Sequence, residues 1–308
     1  MPDISLVADG LLFPEGPIAL PNGDVLLVEI AAGRLTRVAP DGAKTVVAEP
    51  GGGPNGAAIG PDGKCYLCNN GGLKFVERNG LRFPVGQPDD YSGGRIERID
   101  LETGAVETLY TECGGHPLKG PNDIVFDRSG GFWFTDHGKQ RRRDRDVTGV
   151  YYALADGSRI EEAVFPSDGP NGVGLSPAED ELYVAETMTG RVWAYEIEAP
   201  GRLKARKSPM RGDQGRLVAG LPGHQLFDSL AIDGEGHICV ATIHNGGITR
   251  ISPDGSRIEH FAMPDAITTN ICFGGDDLRT AFITLSSTGK LVRMRWPSPG
   301  LPLNFLNK

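Results

Sequence analysis

No run in this 308-residue chain approaches the ~18 consecutive apolar residues that a membrane-spanning helix needs. The first residues, Met1-Pro2-Asp3-Ile4-Ser5, show no basic start followed by an apolar stretch, so secretion is not indicated and a cytoplasmic location is the expectation. Cysteine is scarce and odd in number: the five, Cys65, Cys68, Cys113, Cys239 and Cys272, fall mostly inside strand-like runs and make no disulfide framework. Cys65 and Cys68 form a C-x-x-C pair, but no second pair stands at zinc-site spacing, and strand residues three apart point to opposite faces. They read as buried thiols. Positive charge is also short. With 31 Lys and Arg against 40 Asp and Glu, the formal charge of −9 argues against a nucleic-acid partner. The one basic cluster, Arg141 to Arg145, is interrupted by Asp144 and followed by Asp146, as a solvated loop would be. Gly51-Gly52-Gly53 lacks the Lys-Ser or Lys-Thr of a phosphate loop, and Ser176, Ser229 and Ser286 lie in no G-x-S-x-G elbow. No long segment keeps a helical period, so helix should be nearly absent.

Glycine and proline, by contrast, are abundant: 44 and 23 residues, about a fifth of the chain, as many short strands joined by tight turns require. The decisive pattern is an internal repeat. Six segments align, at Pro14-Glu15-Gly16, Pro54-Asn55-Gly56, Pro121-Asn122-Asp123, Pro170-Asn171-Gly172, Phe227-Asp228-Ser229 and Thr269-Asn270-Ile271. Each reads as a polar residue, a short apolar strand, a turn and a second apolar strand. Further strand-like runs follow, such as Arg34 to Val38 with Lys44 to Ala48, and Arg95 to Asp100 with Val106 to Tyr110. Four strands per unit make a propeller blade. The expected fold is therefore all-β: a six-bladed β-propeller with four antiparallel strands per blade, a single domain over 1–308. The sixth unit runs out of chain after Lys290 to Trp296, and the unassigned strand Ile4 to Ala8 is expected to close it.

In that fold the innermost strands line one tunnel, so their lead residues Glu15, Asn55, Asn122, Asn171, Asp228 and Asn270 converge at one mouth. The second strand of each hairpin returns to the same face. Its last residues, Glu29, Asn69 and Asn70, Asp136 and His137, Glu186, His244 and Ser286, are expected to wall a pocket there. A single Asn or Asp before a strand is ordinarily a turn residue bonding its own backbone. Six oxygen donors at one place are more than turns demand. Two carboxylates and several amide oxygens are what a hard divalent cation takes in exchange for its water shell.

The motifs F-P-E-G-P from Phe13, G-P-N-D-I from Gly120 followed by F-x-F-T-D, P-N-G-V-G-L-S-P from Pro170 and F-D-S-L-A-I-D from Phe227 together resemble the family of regucalcin, gluconolactonases and luciferin-regenerating enzymes. The resemblance spans the chain to about Thr284. It implies one divalent metal ion, calcium first, with zinc, manganese or iron(II) as other candidates. It places the ligands on Glu15, Asn171 and Asp228, with Asn122 as a fourth ligand or a contact to metal-bound water and substrate. The related diisopropylfluorophosphatase propellers use the same four places for calcium, but Ala231 and Cys272 replace ligands of their second ion. One departure is Gly120, which stands where the regucalcin branch carries an Arg that binds sugar lactones.

The activity so implied is metal-assisted hydrolysis of a small lactone, sugar-derived or related. A bound cation would act as a Lewis acid and lower the pKa of a water from about 15.7 toward 7. Asp228 is the expected proton acceptor, and Glu15 is a ligand only. Asn55, Asn122 and Asn270 are expected to contact substrate and steady the developing alkoxide. His137, and with it His244, is a candidate substrate contact or proton carrier, or else a hydrogen-bonded wall residue. Two other functions share the fold: a metal-dependent phosphotriesterase of the diisopropylfluorophosphatase type, and a non-catalytic ligand-binding propeller. Nothing in the sequence speaks to oligomeric state.

Overall fold

In the computed structural model, which describes residues 3–205 and 215–308, each repeat opens as a hairpin. The turns form where glycine can take the left-handed backbone of a tight reversal, as at Gly23 (φ +90°) and Gly236 (φ +82°). The innermost strands are Pro14–Ala19, Pro54–Ile59, Pro121–Phe126, Pro170–Leu175, Leu226–Ile232 and Thr268–Gly274. Their antiparallel partners are Val25–Glu29, Cys65–Asn69, Gly131–Asp136, Glu181–Glu186, Ile238–Ile243 and Thr280–Leu285. Two outer strands complete each blade, giving the six-bladed propeller. Among the described residues the helical content is one short 3₁₀ turn, Ile30–Ala32.

The second strands read as unbroken apolar runs because a blade is covered on both faces by its neighbours. Val25–Glu29, Cys65–Asn69 and Gly131–Asp136 are buried at every residue. Between the third and fourth blades, for example, Trp133 and Tyr152 pack with Val173, Leu182 and Val184. Each large side chain buried in this way stabilises the fold by about 1.5–3 kcal/mol relative to exposure.

Ring closure follows the expectation. Ser5–Ala8 pairs antiparallel with Lys290–Arg295 and becomes the outer strand of the sixth blade, so the two ends of the chain share one sheet. Two features were not expected. A two-stranded hairpin, Phe75–Arg78 with Leu81–Pro84, is inserted between the second and third strands of the second blade. At the opposite end of the tunnel the C-terminal segment acts as a stopper. Leu301 N donates to Ile232 O, Asn304 Nδ2 donates to Phe126 O and Glu179 Oε1, and Phe305 sets its ring edge-on to Phe126.

Every innermost strand also slips register just where its lead residue sits, between Glu15 and Ile18, Pro54 and Ala57, Pro121 and Ile124, Pro170 and Val173, Phe227 and Leu230, and Thr268 and Asn270. A bulge of this kind breaks strict alternation and re-aims side chains.

Leu291 lies fully buried where the closing strand meets the sixth blade, opposite Ala8 on one side and Thr284 on the other. Leu291→Ala is expected to cost about 2–5 kcal/mol in urea unfolding, the range for a leucine cavity that cannot collapse. A loss under about 1 kcal/mol would show that closure contributes little to the stability of the ring.

Candidate functional site

The bulges place the lead residues at the floor of a cavity of about 380 Å³ at one tunnel mouth, lined there by Glu15, Asn55, Asn122, Asn171 and Asp228. Glu15 Oε2 accepts from Gly16 N at 2.6 Å and from Asn270 Nδ2 at 2.7 Å. Asn270 was expected to contact substrate. Instead its amide is turned to Glu15, its Oδ1 accepts Ile271 N at 2.8 Å, and it borders a second, smaller cavity deeper in the tunnel. Asn171 Nδ2 donates to Thr187 Oγ1 at 3.1 Å, and Asp228 Oδ1 accepts Ser229 N at 3.0 Å. Asn122 Oδ1 is buried with no hydrogen-bond partner.

Burial, and then the charge of Asp228, hold the Glu15 carboxyl well above the usual carboxylate range. Burial likewise raises Asp228, against hydrogen bonds from Asn171 and Ser229 N. Among the described residues no Lys or Arg is paired with either group. Two carboxylates brought together without a cation, beside an amide oxygen with nothing to accept, are costly in a dry site. An oxygen-loving cation seated among Glu15, Asn122, Asn171 and Asp228 would relieve all three costs at once, so these residues fit such an ion. Among the described residues no three His, Cys, Asp or Glu side chains gather around one point. The donor set is thus two carboxylates completed by amides, not a nitrogen and sulfur set.

Of the expected wall residues, Asn70, His137 and His244 line the cavity, and the others do not. Glu29, Asn69, Asp136 and Glu186, at the ends of the second strands, turn away from the cavity and tie down loops. Glu29 accepts Leu12 N, Arg34 Nε and Thr36 Oγ1 at 2.6 to 2.8 Å. Asp136 accepts Lys119 N and Gly120 N at 2.7 Å and Gly138 N at 2.8 Å. Asn69 and Glu186 hold their own loops in the same manner. Ser286 donates to Pro14 O. Because side chains alternate, the residue one place further on faces the cavity in four blades: Ile30, Asn70, His137 and Thr187; in the fifth both Ile243 and His244 line it.

Lys139 was not singled out from the sequence. It is buried in the cavity wall, with Nζ donating to Asn70 Oδ1 at 2.9 Å and Gly72 O at 2.7 Å, and burial lowers it to about 7. Its place two residues after His137, in line with the cavity-facing parity, was the available signal. Asp123, raised to about 7 by burial, borders the deeper cavity and accepts Ile124 N and Val173 N. Gly120 has no room for a side chain, since a Cβ there would lie 2.7 Å from Gly138 O.

The family model described as "SMP-30/Gluconolactonase/LRE-like region" matches residues 13–287. A gluconolactonase of Zymomonas mobilis is 27% identical, over 95% of this chain and 81% of its own length. The diisopropyl-fluorophosphatase of Loligo vulgaris is 25% identical, over 97% and 94%. The solved structure of XC5397, a gluconolactonase of Xanthomonas campestris, superposes with a TM-score of 0.74 at 22% identity, covering 96% of this chain and 89% of that one, and shows the shared fold.

His137 tests the enclosure of this pocket independently of any ligand. Burial, aided by nearby Lys139, pushes its imidazole down to about 4, and its Nδ1 has no hydrogen-bond partner. Between about pH 4 and 6.5 the unfolded chain therefore binds a proton at this position that the folded chain does not, and stability falls as pH is lowered through that window. His137→Phe should reduce the stability difference between pH 7 and pH 4.5 by about 2 kcal/mol in urea unfolding. An unchanged difference would mean that the imidazole is solvated.

Proposed function

The chain belongs to the SMP-30/Gluconolactonase/LRE-like family, and on that premise we propose that it hydrolyses a small lactone with the help of one divalent cation, calcium foremost, in the cytoplasm. What carries the proposal is the cavity floor: the buried pair Glu15 and Asp228 without a basic partner, next to the unpartnered Asn122 Oδ1. Relatives named as lactonases support the reaction class, among them the Zymomonas mobilis protein. The five cysteines are unpaired, as suits a reducing compartment.

Glu15, Asn171, Asp228 and Asn122 would hold the cation, which when bound supplies Lewis acidity toward the lactone carbonyl and acidifies a water. Asp228 accepts the proton of the attacking water at a carboxylate oxygen and returns it to the ring oxygen as the carbon–oxygen bond breaks, leaving a hydroxy acid. The side-chain amides of Asn55 and Asn122 donate to the oxyanion that develops on the carbonyl oxygen. His137, neutral at physiological pH, is part of the wall that substrate meets. No feature of the site favours a phosphotriester over a lactone or a purely binding role.

Glu15→Gln and Asp228→Asn should each lower metal content in elemental analysis. With calcium restored in excess, Asp228→Asn should still lose about 10²–10⁴-fold in kcat on lactones, the usual worth of a general base. Full turnover by the chelated wild type, or full metal occupancy in both variants, would overturn the proposal. Hydrolysis of a phosphotriester without any lactone turnover would move the protein to the other reaction class.

A further inference from the structure

We infer that the substrate is a lactone carrying a hydrocarbon substituent rather than a polyhydroxylated one. The inference rests on the lactone-hydrolase reading above and comes from how the pocket is walled and roofed.

Above the polar floor the cavity is bordered by Phe13, Leu73, Phe83, Met188, Leu226 and Ile243. These six stand on or beside four different blades, so apolar surface is spread around the mouth instead of lying on one side. The inserted hairpin supplies part of it. From the second blade it reaches past the first to the sixth, where Arg82 N donates to Ser287 O at 3.0 Å. Phe75 at its base packs on Phe13 with ring centroids 5.0 Å apart, and beyond it Gln87 N donates to Gln140 O in the third blade at 3.0 Å. The roof is therefore tied to both sides of the mouth, and its Phe83 and Pro84 face the cavity.

Four of the polar side chains of the wall, Asn70, Lys139, Thr187 and Thr269, are already engaged. Asn70 Oδ1 already receives Gly72 N and Lys139 Nζ, Lys139 also donates to Gly72 O, and Thr187 Oγ1 receives Asn171 Nδ2. Thr269 is bonded to Thr284 and Ser286. A sugar lactone carries hydroxyls on nearly every ring carbon, and those that meet the apolar border would be left without partners, each such buried group being penalised. An alkyl chain needs no partners and gains from every methylene taken out of water. Size agrees: about 380 Å³ is within the range of pockets that enclose ligands well beyond one small ring. Met188, 40% exposed at the rim, is the kind of unbranched side chain that adapts to chains of different length.

The test is kcat/KM for γ-lactones bearing no substituent, propyl, pentyl and heptyl chains, beside glucono-δ-lactone, with calorimetric binding of the matching non-hydrolysable lactams. Efficiency and lactam affinity should each rise by about two- to fourfold per methylene over the first few carbons, and glucono-δ-lactone should be the poorest substrate. Phe83→Ser and, separately, Leu226→Ser should reduce the pentyl-to-unsubstituted ratio of lactam affinity at least threefold, a comparison made within each folded variant. A flat dependence on chain length, or preference for glucono-δ-lactone, would overturn this inference while leaving lactone hydrolysis intact. Lactam affinity that climbs with chain length in the absence of any lactone turnover would support the hydrocarbon pocket and overturn the hydrolase reading. Neither turnover nor chain-length dependence would remove both.

Discussion

At three of the six seams around the axis, the innermost strands of neighbouring blades come closer than a side chain would permit. These approaches fall just after the lead residues. A Cβ on Gly16 would lie 2.3 Å from Asn55 O, one on Gly56 2.4 Å from Asn122 O, and one on Gly172 2.7 Å from Asp228 O. Glycine at these places lets one blade press against the lead residue of the next. The bulge that accompanies it turns the lead side chains into the tunnel mouth. Fold closure and site assembly are thus one geometric event, and a side chain at any of these three glycines would disturb both.

Polar groups brought together so closely have to be satisfied locally, and the molecule divides them into two classes. Glu29, Asp136 and Glu186 are surrounded by donors from their own loops, and Glu29 is held below the usual carboxylate range by Arg34 and Thr36 despite its burial. Glu15 and Asp228 have few donors, and each meets a further buried carboxylate, Asp228 for Glu15 and Asp123 for Asp228. The first class stiffens the loops that frame the pocket. The second stores an electrostatic cost that only a cation or a proton can remove. Chemically similar residues, often only a strand apart, serve opposite ends because one set is surrounded by loop donors and the other has few donors and lies against other buried carboxylates.

The two ends of the tunnel are equally unlike. At the far end the C-terminal segment inserts Asn304 and Phe305 against the third blade, and Lys308 reaches Glu179 at 3.2 Å. The cavity left beneath it is about 100 Å³, with Asp123 bordering it. The near end stays open under a hairpin tied to other blades. Solvent and ligand access are thereby directed to the face where the second strands return.

The sequence by itself determined the blade count, the closing strand and the lead residues, because a propeller writes its period into local pattern: a polar residue, two apolar runs and a turn, six times over. Hairpin partners lie close along the chain, so their pairing follows from turn chemistry alone. Tertiary structure decided what depends on contacts across the ring. Asn270 bonds Glu15 from 255 residues away, a partnership no local pattern contains. Which of two adjacent polar residues faces the cavity, Asn69 or Asn70, Asp136 or His137, turned on register at a strand end, where a shift of one place reverses the side chain. Lys139 in the wall, the hairpin over the mouth and the stopper at the far end became visible only once the ring had closed. Each is held by groups on a neighbouring or more distant blade, and the energy that fixes them belongs to that closure rather than to the segment itself.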